Sequence, residues 1–211
     1  LSDLWVTVQN PSEQDLWAIR KIDGVTQVEK RFSTDADTDL PGATLHVYAL
    51  NDRSTLDQPE IQEGRFSKNG AVLDSSFAKV HNLKVGDTIS IKLDGIWLQL
   101  PINGLAISSE QVSVVKHSAT LVPDPTIYGF IVIHTSALES VYGQKVYNQI
   151  SVKTASGTNL KEVVQKADSI IGDKLIGITL QKDSTSVSNV NGRIQQFKIL
   201  SLVFPILFFL V

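Results

Sequence analysis

The sequence predicts an α+β fold, and three observations in its 211 residues carry that prediction. A strand-helix-strand pattern opens the chain, a second one returns from Tyr147, and the stretch between them changes to short strands broken by turns. Neither helix can bury its apolar stripe alone, so two β-α-β pieces flanking an insertion predict one split, ferredoxin-like sheet covered by both helices.

The first piece spans 1–50. Leu4 to Val8 alternates as a half-buried strand. Asn10-Pro-Ser-Glu13 reads as a helix start, with Asn10 as cap, Pro in the first turn and Glu three residues on. Leu16, Ile19 and Ile22 form the stripe, and Asp23-Gly24 ends it. Val25 to Phe32 resumes as a strand, with Thr44 to Leu50 as its hairpin partner. The second piece spans 143–185. It holds a strand to Thr154, a Thr158-Asn159 cap, and a stripe of Leu160, Val163, Val164, Ala167, Ile170 and Ile171 at amphipathic spacing. Gly172 stops that helix, and Leu175 to Gln181 is the next strand.

The insertion, 51–142, reads as a small, mostly-β subdomain. Asn69-Gly70 turns into a short strand over 71–73, and 75–83 forms a short helix. Ile89, Ile91 and Leu93 alternate ahead of Asp94-Gly95, a strong two-residue hairpin signal, and strands over 96–100 and 102–107 return. Residues 108–126 contain Pro123 and Pro125 without periodicity and read as a long loop. A strand over 128–133 follows, and Thr135 is placed to cap a short helix.

From Ser186 a third helical pattern carries Val187, Val190, Ile194 and Phe197 at spacings of three, four and three, a narrow seam suited to one partner helix or to the domain's own sheet. It runs into an uncharged apolar stretch over 199–211 that is shorter than the roughly 20 residues a bilayer requires. The expectation is a membrane helix cut off partway, the alternative being a C-terminal helix packed into a hydrophobic groove.

Formal net charge is −3 without a Lys/Arg-rich block, which argues against a nucleic-acid partner. The absence of cysteine excludes disulfides, thiolate metal sites and a cysteine nucleophile. The four histidines, His46, His81, His117 and His134, show no metal-ligand spacing, and there is no G-x-S-x-G. Asp35-Ala-Asp37-Thr-Asp39 has the rhythm of a calcium loop, but it lacks the loop glycine and the terminal glutamate. Trp5, Trp17 and Trp97 are expected to pack in a core or an interface. No catalytic, cofactor or metal site is expected.

Taken together, the sequence resembles the large extracytoplasmic domain of FtsX-like permeases, the MacB-type periplasmic core domain. The matching stretches are Leu4-Trp-Val, Ile22-Asp-Gly-Val25, Glu63-Gly-Arg65 ahead of Asn69 to Asp74, Leu83-Lys-Val-Gly-Asp87, Asn103-Gly-Leu105 and the terminal helix. They are turn and packing motifs covering almost the whole chain, and they say little about substrate. The resemblance implies a porter-like subdomain from 1–50 and 143–185, with 51–142 inserted. Residues 186–211 would form a stalk helix and the start of a transmembrane helix, with another membrane helix ahead of Leu1. It also implies a non-catalytic domain outside a bacterial cell membrane, without cofactors. Such a domain would couple ATP hydrolysis by a separate cytoplasmic ABC ATPase subunit to movement of, or on, an extracytoplasmic cargo or partner. A second permease copy or homologue, lipid around the C-terminal helix, and a coupling seam of Val187, Val190, Ile194 and Phe197 complete that picture. The alternative is a membrane-anchored recognition or regulatory module without transport, such as an activator of a cell-wall enzyme.

Overall fold

Two long strands, β2 (Val25–Thr38) and β7 (Ile96–Ile107), each change partners partway along and organise the molecule. The computed structural model describes residues 1–108 and 124–181. The remaining strands are β1 (Leu4–Val8), β3 (Thr44–Leu50), β4 (Glu60–Gly64), β5 (Ala71–Asp74), β6 (Thr88–Leu93), β8 (Tyr128–His134), β9 (Gln149–Thr154) and β10 (Leu175–Leu180).

In its first half β2 joins a four-stranded sheet of order β10-β1-β9-β2, in which every neighbouring pair is antiparallel. Helices α1 (Glu13–Arg20) and α4 (Leu160–Ile171) cover one face of it. Alternation decides which face. Leu4, Val6 and Val8 of β1 meet Ile150 and Val152 of β9 and Val28 of β2, closed over by Ile19, Ile22, Val163, Ala167 and Ile171. Burying a side chain of this size contributes about 1.5–3 kcal/mol, so the cluster accounts for both helices docking on one face.

In its second half β2 enters a ring of pairings, β2-β3-β8-β5-β7-β6, which closes where Asp37 and Thr38 meet Lys92 and Ile91. β4 adds to the outer half of β7. Phe32, Leu45, Val47, Leu73, Ile91, Ile102 and Ile133 fill the ring, and Phe77 of the helix α2 (Ser75–Val80) plugs it. Apolar residues of β3 thus belong to the same cluster as those of the inserted strands.

Several local expectations need correction. Ser12, not Asn10, caps α1: its Oγ accepts from Asp15 N–H, and Asp15 returns the bond to the Ser12 backbone. Asn10 instead takes a left-handed turn at φ 47°. β2 continues past Phe32 because Ala36 and Thr38 face inward; small and hydroxylated residues hide that alternation from a hydrophobicity pattern. The turn after β8, which leads into the short helix α3 (Glu139–Tyr142), is capped by His134 rather than Thr135, its side chain accepting from Ser136 N–H. Pro101 does not end a strand; it sits in β7 where the strand passes from β6 to β5 and β4, a position where a missing N–H is tolerated. The Asp94-Gly95 turn has positive φ at both residues, 45° and 84°, as a type I′ hairpin requires.

Candidate functional site

The first functional feature is where the described domain begins and ends. β1 and β10 are neighbours in register, Leu4 opposite Leu180, and Gln181 N–H donates to Asp3 O at 2.9 Å. Asp3 and Gln181 therefore lie at the same end of the four-stranded sheet. Asp3 anchors that end: its carboxylate accepts from Thr154 N–H at 2.7 Å, Thr154 Oγ1 at 2.9 Å and Lys153 Nζ at 3.1 Å. Partial burial works against its charge, but those donors outweigh it and hold the Asp3 carboxyl below the usual carboxylate range.

The second feature is a polar network on the outer surface of the barrel, which spacing did not reveal. Asp35 lies opposite His46 in the β2/β3 register. His46 Nδ1 stands 2.6 Å from Asp35 Oδ1, and its Nε2 stands 2.8 Å from Ser33 Oγ. The carboxylate can only accept, which fixes Nδ1 as a donor and leaves Nε2 of a neutral ring to accept from the serine. Tyr128 of β8 donates its hydroxyl to Asp35 at 2.9 Å; burial, then the Asp35 charge, push its phenol up. This is a Ser-His-Asp sequence of contacts, but it is not assembled for acyl transfer. Ser33 lies mid-strand rather than on a sharp elbow, and its amide, which could have faced an oxyanion, is donated to Asn148 Oδ1 at 2.8 Å. The Asp35 side chain is 53 % exposed. The network stitches three strands together.

His46 is therefore a bridging residue rather than an ordinary surface histidine. Asp35, Asp37 and Asp39 do not converge either: Asp35 serves His46 and Tyr128, while Asp39 accepts from Ser90 N–H at 3.2 Å. Among the described residues no group of three or more His, Asp or Glu is arranged to hold a metal ion. Of the three tryptophans only Trp5 is buried; Trp17 is 61 % exposed beneath Lys21, and Trp97 is 50 % exposed near Lys92. Among the described residues no helix is long and apolar enough to cross a membrane. The seam residues Val187, Val190, Ile194 and Phe197, the apolar stretch over 199–211 and most of the expected loop at 108–126 lie outside the described residues.

No family model and no curated protein sequence matches the chain. Solved structures do. The extracellular domain of the noncanonic ABC-type transporter YknZ from Gram-positive bacteria superposes with a TM-score of 0.53 at 13 % identity, over 84 % of this chain and 100 % of that one. The chain has the fold of a MacB-type periplasmic domain. The periplasmic region of MacB from Actinobacillus actinomycetemcomitans superposes with a TM-score of 0.50 at 12 % identity, covering 92 % of each chain. At such identity the likeness is one of fold; the first neighbour is the extracellular domain of an ABC-type transporter and the second a periplasmic region.

Proposed function

We propose that this chain is the non-catalytic extracytoplasmic domain of an FtsX-like, ABC-type permease, standing between two membrane segments. The observation that carries the reading is the pairing of β1 with β10, which sets the first and last described strands side by side. A domain inserted between two neighbouring membrane helices needs that geometry, and it lets both helices act on a single sheet.

The sheet of order β10-β1-β9-β2 with two helices on one face is read as the ferredoxin-like, porter-like layer of 1–50 and 143–185, and 51–142 as the inserted subdomain, whose strands close a barrel with the second half of β2 and with β3. Residues 186–197 are read as a stalk with Val187, Val190, Ile194 and Phe197 along its seam, and 199–211 as the start of a membrane helix in lipid. ATP hydrolysis is assigned to a separate cytoplasmic ABC ATPase. A second permease copy completes the transporter, and the domain works on its cargo or partner by moving rather than by chemistry. Location is the first thing to test. Lys92→Cys, on the exposed face of β6, supplies a unique thiol in this cysteine-free chain. A membrane-impermeant maleimide should label it in intact cells expressing the full-length protein, above the labelling of the unsubstituted parent; added labelling only after lysis would refute the assignment.

A further inference from the structure

Asp57 lies on the segment that leaves the barrel after β3, at φ 56°, with its side chain fully buried. Every group set against its carboxylate is a donor. Ser2 N–H donates to Oδ1 at 2.7 Å, while Ser2 Oγ, Trp5 Nε1 and Ser151 Oγ donate to Oδ2 at 2.8, 2.8 and 2.9 Å. The Arg31 guanidinium stands 3.5 Å away, and it also lies over the rings of Tyr48 on β3 and Trp5 on β1. A few residues earlier, the Glu29 carboxylate accepts from Thr55 N–H at 3.0 Å, Thr55 Oγ1 at 2.7 Å and Leu56 N–H at 3.2 Å. The segment is thereby drawn back from the barrel across the face of the four-stranded sheet opposite its two helices. It is fixed there to β1, β2, β9 and the residues just ahead of β1.

We propose that Asp57 is the joint that makes the four-stranded sheet and the barrel move as one body, so that displacement of the paired ends is passed on to the barrel. Without it, the layers are joined by β2 and by the neighbouring entry into β9, where Asn148 pairs with Ser33 of the same strand; these two links lie side by side, and a junction held along one line can bend. Only an ionised carboxylate accepts from all these donors at once; an amide in its place must turn its NH2 toward one of them. Burial opposes the charge, but Arg31 and the donated hydrogen bonds keep Asp57 ionised. The consequence for transport rests on the permease reading; the joint itself does not.

Spin labels at Lys92→Cys on the barrel and Lys166→Cys on α4 are the only ones the cysteine-free chain would carry. Double electron–electron resonance on the 211-residue chain in detergent should give one narrow distance distribution. Asp57→Asn should broaden it roughly twofold while amide protection within each core persists. Trp5→Phe removes a single donor, should broaden it less, and decides the matter if Asp57→Asn does not fold. An unchanged distribution in the folded variant overturns the joint. If the joint holds but ATP produces no movement of the domain against the bilayer in the intact complex, the permease reading fails instead.

Discussion

Replacing Arg31 with Met would expose the energetics of the buried pair. Arg31 is 4 % exposed and its partner Asp57 fully buried, so the variant leaves a carboxylate with four neutral donors and no counter-charge. Met keeps much of the aliphatic volume beneath Tyr48 and Trp5, so lost packing is the smaller effect. Breaking a buried pair by removing one partner costs about 3–5 kcal/mol, a large share of the ~5–15 kcal/mol that holds a typical domain folded. The cost should depend on pH. In the parent the Asp57 carboxyl is held below its ordinary value of 3.8. Its stabilisation is therefore present above that value and is lost as pH falls through the lower folded value. Without Arg31 burial is less opposed, the carboxyl rises, and it can take up a proton under mildly acidic conditions. Urea unfolding of both proteins at neutral pH should show the full loss, and the gap should narrow toward pH 4. A difference below about 1 kcal/mol at neutral pH, or one that does not change with pH, would refute the reasoning.

Three further outcomes follow from the packing and the caps. A Cβ on Gly129 would lie 2.7 Å from Phe77 Cβ, which is fixed to α2, so Gly129→Ala should cost about 1–3 kcal/mol in thermal unfolding by forcing the helix off the barrel. Ser12→Ala should cost about 1 kcal/mol by removing half of the α1 capping box, as read in urea unfolding. Burial lowers the His134 imidazole from its ordinary 6.5, against the opposing pull of Asp52 at 3.5 Å. The unfolded chain then binds the proton more readily, so this histidine removes stability as pH falls below 6.5. His134→Gln should flatten that part of the pH–stability curve, and the parent's imidazole should titrate below 6.5 by NMR.

What could be read from the sequence divides by the range of the forces involved. The α4 stripe and the Asp94-Gly95 turn are local: period and turn chemistry determine them, and both stand where expected. The strands expected over 4–8, 88–93 and 128–133 alternate or are largely apolar, and they stand where expected, the last running one residue further to His134. The second half of β2 escaped because Ser33, Asp35 and Asp37 alternate with threonine and alanine, too weak a contrast to register. β4 escaped because all five of its residues are exposed, which leaves no period to find. The polar constellations are least legible. Asp57 meets Ser2, Trp5 and Ser151, separated from it by 55, 52 and 94 residues, and only the folded sheet brings them to one carboxylate. Ser33, Asp35 and His46 are closer in sequence, but their meeting depends on a register that composition does not specify.

The most direct test of the proposed mechanical role uses the full-length protein reconstituted with the ABC ATPase assigned to it in the proposal, a label at Lys92→Cys, and the distance from that label to the bilayer surface. ATP should shift that distance in the parent. In Ile194→Asp/Phe197→Asp hydrolysis should continue while the shift disappears, because two charges would break the apolar seam proposed to carry the motion outward. A parent whose label stays still during turnover, or a double variant that moves as the parent does, would contradict the proposed coupling.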